Sequence, residues 1–239
     1  MNKRYLSYIY WYNVDKIIFI SPKIKQIVSK KYNHVLKKSM IIYNYTDMKK
    51  YNLKKNENHK YNIGMLGWGR KLKRPDLALK IFKMLKNYDK RYKLYFKGEH
   101  PYNVKWIKED KEEYEYFKVF FEEIKDMKDI YFEKVGENVP EWLQNIGIIL
   151  STSDVEASHQ AITEGMASGC VPFLTGGYVK KYGAKNIYPS QCCYKNITDV
   201  VQNILKINKS DINREIYKDA VKKYDIKYIF KQFDNLIFQ

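Results

Sequence analysis

Cysteine, arginine and long apolar runs are what this chain has least of, and each shortage closes off a class of protein. Three cysteines, Cys170, Cys192 and Cys193, include an adjacent pair and no CxxC. That leaves neither a zinc framework nor a disulfide scaffold, and it suits a reducing compartment. Arginine occurs five times (Arg4, Arg70, Arg74, Arg91, Arg214) against 39 lysines. With many Tyr, Asn and Ile beside those lysines, A/T-rich codon usage accounts for most of the formal charge of +17. The remainder is read as a basic face turned toward acidic lipid, where each lysine adds about 1 kcal/mol. In the N-terminal "MNKRYLSYIYWYNVDKIIFIS", polar Ser7, Asn13, Asp15 and Lys16 interrupt any run long enough for a signal core or a membrane span. A cytoplasmic protein, soluble or peripheral on the inner face of a membrane, is expected.

What is there is the material of a folded protein. Hydrophobic residues make up 45% and aromatic residues 16% of 239, enough for one large domain or one and a half ordinary ones and too much for a disordered tail. "IIFI" at 17–20 reads as a buried strand, Ser21-Pro22 as the cap and first turn of a helix to Lys31, and "MIIY" at 40–43 as a second strand. Residues 48–60 are rich in Lys, Asn and Glu and read as a linker. From Tyr61 the chain alternates: strand "YNIGML", a loop "GWGRKLKR", and a helix from Pro75 with Leu77, Ile81, Met84 and Leu85 at helical spacing. Strand "KLYF", a charged helix over 109–126, strand "DIYFEKVG", a short helix over 139–145 and strand "IGIIL" follow. A further helix, strand "CVPFL", a glycine loop "TGG" and helices near 196–207 and over 211–237 complete the pattern. Strands that are apolar throughout and alternate with helices predict an α/β fold, a Rossmann-like parallel sheet with helices on both faces. Ligands of such sheets bind beyond the carboxyl ends of the strands.

Two loops there carry chemistry. "GWGRKLKRP" joins a strand to a helix N-terminus with Gly64, Gly67 and Gly69 nearby. That spacing is neither the dinucleotide GxGxxG nor the P-loop GxxxxGK[ST], which weakens a hydride-transfer or ATPase reading. Its four basic side chains beside helix N–H groups suit a phosphate, or simply a solvated basic turn. The second loop is "DVEASHQAITEGMASGCVP". "STSD" offers caps, so a helix is expected from Ser158 through Ser168 with Gly169 as its stop. Glu156 then lies in the loop beside the N–H groups of Ser158, His159 and Gln160. At about 100° per residue, Ile162 and Met166 share one face, and Glu164 falls away from it alongside Ala161 and Ser168. A carboxylate among small residues can accept two hydrogen bonds from a vicinal diol; the alternative is a capping carboxylate plus a solvent-facing helix glutamate.

The spacing Glu156, seven residues, Glu164, followed by "GMASGCVP", resembles the E-x7-E signature of the retaining family 4 glycosyltransferases, written around "E-G-F-G-x-x-x-x-E-A-M-A-x-G-x-P-V". The likeness extends in order through "IIFISPKIKQIV", "IIYNYTDMKKY" where the family has a "PNGVD" turn, "IGMLG…KLKRPDLAL", "LYFKGE", "DIYFEKVGENVPEWLQNIGIILSTSDVE" and "YDIKYIFKQFDNLI". It covers nearly the whole chain from about Asp15. The resemblance implies the C-terminal, donor-binding half of a GT-B fold. Residues 1–47 would be a remnant of the N-terminal acceptor domain, 48–60 a linker, 61–210 the nucleotide-sugar domain, and 211–239 helices packing back on the N-terminal segment. It implies transfer of a sugar from a nucleotide-diphosphate sugar to an acceptor hydroxyl with retention, in capsule, lipopolysaccharide or other cell-surface glycan synthesis. Glu164 would bind the ribose, Glu156 would face the sugar ring, and the amides of Ala157, Ser158 and His159 would hold sugar hydroxyls and diphosphate. Lys73 would pair with the departing diphosphate. The loop Glu133 to Glu137, with Val135 at its centre, would meet the base. No metal and no other cofactor is implied.

This chain departs from the family pattern at three places. Trp68 stands where the phosphate-binding arginine belongs, with Arg70 or Lys71 as substitutes two or three residues on. "ASH" replaces "G-F-G" after Glu156, which restricts the backbone and offers His159 as a further donor. Only residues 1–47 stand where the family has a full acceptor domain, so the glycan or lipid-linked acceptor calls for a partner chain or a longer protein. The apolar Ile226, Ile229, Phe230, Phe233 and Ile237 of the last helix then need cover from residues 1–45 or from another protein. Two other classes stand beside this one: a nucleotide-sugar-binding module without turnover, and a basic nucleic-acid binder. The latter has charge alone in its favour, with no stacking motif beside the lysines, so no nucleic-acid partner is expected.

Overall fold

The computed structural model describes residues 14–208 and 215–238. Near the start, β1 (Ile17–Phe19) and β2 (Ser39–Ile41) form a small parallel pair joined through α1 (Pro22–Lys31). Ser21 caps that helix by accepting from the Ile24 amide at 3.3 Å, with Pro22 in the first turn as expected. Phe19 and Val28 make a small core of their own.

The main sheet is built from β3 (Asn62–Leu66), β4 (Lys93–Lys97), β5 (Ile130–Glu133), β6 (Ile148–Ser151) and β7 (Val171–Leu174), all parallel, in the order β5-β4-β3-β6-β7. Apolar side chains on both faces of these strands demand cover on both sides. One face carries α2 (Pro75–Tyr88), α3 (Lys105–Glu109), α4 (Lys111–Ile124) and α8 (Ile197–Asn208), packed with Met65, Phe96, Leu150 and Phe173. The other carries α5 (Val139–Gln144), α6 (Gln160–Ala167), α7 (Gly177–Lys181) and α9 (Glu215–Val221), packed with Ile149 and Leu174. The expected α/β, Rossmann-like sheet with helices on both faces is the observed fold.

The buried stripe of α2 is Ala78, Leu79, Ile81, Phe82 and Leu85, whereas Leu77 and Met84 are only half-buried. Each large apolar side chain so buried contributes about 1.5–3 kcal/mol. Several boundaries moved. "MIIY" pairs only through Ile41, "DIYFEKVG" stops at Glu133, and "TGG" leads at once into α7. The expected helix over 211–237 is broken: α9 ends at Val221 and α10 (Ile226–Ile237) restarts after Asp225, whose carboxylate caps Lys227. The break has a tertiary cause, because Thr46 takes up the backbone there, donating to Tyr224 O at 2.8 Å and accepting from Ile226 N at 3.1 Å. Residues 211–214 lie outside the described part.

Segment 48–60 is tied along the main unit. Lys55 Nζ donates to the Leu143 and Ile146 carbonyls at 2.6 and 2.8 Å, and Tyr51 is buried. On α10, Ile229 is buried and Phe230 meets the Tyr45 ring at 5.5 Å, yet Phe230 and Ile237 are exposed. No helix among the described residues is long and apolar enough to cross a membrane.

Candidate functional site

The strand order reverses between β3 and β6, since β4 and β5 lie to one side and β7 to the other. A crevice opens beyond the carboxyl ends of two strands at such a point. Here the loops that meet there are Gly67 to Arg74, leading into α2, and Thr152 to His159, leading into α6.

Short hydrogen bonds sew these loops together. The Thr152 hydroxyl sits 2.9 Å from the Lys73 carbonyl and 2.8 Å from that of Arg74, and the Asp154 amide donates to Leu72 O at 2.8 Å. Arg74 holds a left-handed backbone (φ 56°) at the start of α2, and its guanidinium forks onto Asp76 with two 2.8 Å bonds. Burial alone would raise the Asp76 carboxyl, but bonds from Arg74 and the Tyr116 hydroxyl hold it below its ordinary value. Gly176 allows the chain after β7 to close in: its φ is +83°, and a Cβ there would lie 2.4 Å from Thr152 O.

This framework sets Lys73 against Glu156, Nζ to Oε1 at 2.5 Å. The same carboxylate oxygen accepts from the Ser153 hydroxyl at 2.8 Å and lies 3.6 Å from His159 Nε2. The amides of Ala157, Ser158 and His159 donate to no acceptor among the described residues, while that of Gln160 is taken by Ser158 O. A basic group beside free N–H groups at a helix N-terminus is an anion site by electrostatics alone.

His159 departs from expectation. Its ring is buried, its Nδ1 lies 2.8 Å from Ser151 Oγ, and its carbonyl accepts from the Tyr188 hydroxyl at 2.7 Å. Burial pushes the imidazole down to about 4; the nearby Glu156 charge opposes this and that of Lys73 adds to it. The side chain therefore anchors the loop as a neutral ring, and only its backbone amide is free for a ligand.

Other expected residues are dispersed. Arg70 stacks on Trp106, 4.7 Å from the ring centre, and Lys71 turns to Glu112 on α4, so both side chains have partners away from the Lys73–Glu156 pair. Trp68 is a core residue, ringed by Phe132 at 5.0 Å, Phe96 at 5.1 Å and Phe117 at 6.0 Å. Beside it a cavity of about 380 Å³ is lined by His100, Asn103, Phe132, Glu133 and Lys134, whereas Val135 is 65% exposed and is not among its lining residues. Glu164 faces a cavity of about 420 Å³ bounded by residues 44–51. As expected, Ile162 and Met166 are its buried neighbours on α6. Gly165 brings α6 so close to β6 that a Cβ would meet Ile149 Cβ at 2.8 Å. Burial raises the Glu164 carboxyl above its ordinary value, in part offset by the polar ends of Tyr51 and Gln160 and the charge of Lys50. Ser153, Arg74 and Tyr51 escaped the sequence reading. Ser153 was legible only as one of several caps in "STSD", and Tyr51 sat in a segment with no apolar pattern.

The fold so described is shared at low identity by part of several solved structures, glycosyltransferases among them. TarM superposes with a TM-score of 0.68 at 16% identity, over 94% of this chain and 44% of its own. HepE from Anabaena, solved with UDP and glucose, gives 0.71 at 12% over 95% and 63%. A glycosyltransferase from Rickettsia africae gives 0.72 at 17% over 95% and 65%. The chain thus spans between 44% and 65% of the length of these three structures. No protein-family model and no curated protein matches the sequence.

Proposed function

We propose that the chain is the donor-binding part of a glycosyltransferase, acting on a nucleotide-diphosphate sugar and passing the sugar to a glycan or lipid-linked acceptor hydroxyl. The observation that carries this reading is the Lys73–Glu156 pair set beside the free amides of Ala157, Ser158 and His159 at the β3/β6 crevice. A diphosphate needs such a place: a cation and unpaired N–H groups stabilise the charge that grows as the glycosidic bond breaks. Lys73 supplies the countercharge, and the N-terminal amides of α6 supply fixed dipoles. Glu156, already held through Oε1 by Lys73 and Ser153, has its second oxygen available to a sugar hydroxyl. Glu164 accepts from the ribose. The loop after β5 and the cavity of about 380 Å³ beside Trp68 take the base. Family 4 membership and the retaining course belong to this reading through the E-x7-E spacing.

The neighbours lend the direction. S. aureus TarM was solved with fondaparinux, alpha-GlcNAc-glycerol and UDP, GtfA with UDP and GlcNAc, and WaaB is a lipopolysaccharide outer core galactosyltransferase. A role in cell-surface glycan assembly, in the cytoplasm or at the inner face of a membrane, with further chain supplying the acceptor side, follows the same line. Titration calorimetry with UDP, GDP and ADP and their sugar conjugates tests it. One nucleotide should saturate the chain, and Lys73→Ala should weaken it by about 10-fold or more, the value of a hydrogen bond to a charged group. Binding of none of the three would refute the reading.

A second reading, nucleotide-sugar binding without turnover, is favoured by one observation. Arg70 and Lys71 are engaged elsewhere, which leaves Lys73 as the cation facing Glu156 among the described loop residues. Consumption of the bound donor by the purified chain, alone or with an acceptor, would rule it out.

A further inference from the structure

The lysines of this chain are distributed in two ways. From Lys71 onward ten of them lie within ion-pair reach of a carboxylate, among them Lys83 with Glu123, Lys86 with Asp129 and Lys222 with Asp219. Residues 16–46 hold seven lysines and no aspartate or glutamate. Codon usage enriches lysine along the whole chain, but it does not account for a stretch from which the balancing acids are missing.

The fold brings three of those seven together. β1 and β2 pair in parallel with Ile17 opposite Ser39, so Lys16 stands level with Lys38 at the amino ends of the pair, and Lys37 is next to it in sequence. Like charges set across from one another on a sheet are destabilising. With Gln232 and Asn235 of α10 the three lysines line a cavity of about 470 Å³. No carboxylate lines it. Asp15 and Asp234 adjoin lining residues in sequence, yet neither faces the cavity or pairs with a lysine. Lys38 Nζ donates to Val14 O at 2.8 Å, which fixes one side, whereas the side chains of Lys16, Lys37 and Asn235 find no acceptor among the described residues. The carboxyl end of α10 offsets only about half a charge.

We propose that this cavity binds the phosphate group of a ligand, held by Lys16 and Lys37 with the Asn235 amide as a further donor. A phosphate monoester carries about 1.5 to 2 negative charges at neutral pH and three strong acceptor oxygens, which two ammonium groups and an amide match; a carboxylate carries one charge and would leave the lysines in excess. The cavity shares no residue with the Lys73–Glu156 crevice, so the proposal stands apart from the donor reading. The phosphate has two sources. One is a soluble ester, and the other is the headgroup of an anionic lipid, for which exposed Leu36, Ile237 and Phe238, each next in sequence to a lining residue or one removed, offer apolar contact.

The experiment uses the full chain and compares wild type with two double variants. Lys16→Gln with Lys37→Gln empties the cavity of its unpaired cations, and Lys30→Gln with Lys31→Gln removes the same charge from exposed positions of α1 that do not line it. All keep Lys73, so any phosphate held at the crevice is common to them, and thermal melting checks that they fold. One arm titrates glycerol phosphate by calorimetry; the other measures co-sedimentation with phosphatidylcholine vesicles with and without phosphatidic acid. In at least one arm the Lys16/Lys37 variant should bind about 10-fold or more weakly than wild type, the value of a hydrogen bond to a charged group, while the Lys30/Lys31 variant stays within about threefold, the screened effect of net charge alone. Such a loss with glycerol phosphate assigns a soluble ester, and a loss confined to phosphatidic acid vesicles assigns a lipid headgroup; each supports the site. Equal losses in the two variants would mean attraction by bulk charge only, and binding in neither arm would mean no phosphate site; either overturns the proposal.

Discussion

Protonating His159 should loosen what holds the loop between β6 and α6. In the folded chain the ring is buried, with Nδ1 on Ser151 and Nε2 3.6 Å from Glu156, and burial pushes it from 6.5 down to about 4. The unfolded chain takes up the proton near 6.5 and the folded chain does not until about 4. Between those values the unfolded state holds one proton more, so stability is fully present above 6.5 and is lost as pH falls. At about 1.4 kcal/mol per tenfold change in proton affinity, the whole loss is about 3 kcal/mol, with about 2 kcal/mol gone by pH 5. Urea denaturation of wild type and His159→Asn from pH 7.5 to 5 reads this directly. The variant keeps a side-chain amide near Ser151 but has nothing to protonate, so its stability should fall less steeply by about 2 kcal/mol over that range. His100 is also held low by burial, and the difference between the two proteins cancels its contribution. A His159 ring signal that titrates near 6.5 by NMR, or parallel pH slopes for the two proteins, would refute the reasoning.

Other perturbations follow from the same geometry. Gly165→Ala drives a Cβ to 2.8 Å from Ile149 Cβ and should cost about 1–3 kcal/mol, as overpacking does, read as a lowered midpoint in urea. Tyr188→Phe removes the hydroxyl that donates to His159 O, a carbonyl still met by the Ile162 and Thr163 amides, so the loss should be about 0.5–1.5 kcal/mol, the net worth of one hydrogen bond; unchanged stability would mean that water replaces the hydroxyl. Trp68→Arg places an arginine where the sequence resemblance expects one. It would bury a charge among Phe96, Phe117 and Phe132 and should destabilise the chain by several kcal/mol without tightening nucleotide binding, and a gain in affinity would contradict the placement of Trp68 in the core.

Much of the fold was legible because it is written in local patterns. The apolar runs that become β3, β4, β6 and β7, the Ser21-Pro22 helix start, the Pro75 start of α2 and the stop of α6 before Gly169 depend on residues near one another in sequence. The break before α10 was illegible because its cause, Thr46 pairing with Tyr224 and Ile226, lies far along the chain. The packing of Trp68 was illegible for the same reason. Its neighbours in sequence form a basic loop at a strand end, but the rings that enclose it come from β4, α4 and β5.

The sequence by itself determined that the chain alternates strand and helix, that Lys73 and Glu156 sit on loops at strand ends, and that Glu164 leaves the apolar face of its helix, since each rests on the period of a single element. Only the tertiary structure decided that Lys73 meets Glu156, that Arg70 turns away to Trp106, that His159 is an anchor, and that Tyr51 and Glu164 line one cavity. A hydrogen bond acts over about 3 Å and takes no account of separation along the chain. Which loops come within that reach is set by how β3 and β6 lie side by side and by how closely Gly165 lets α6 approach.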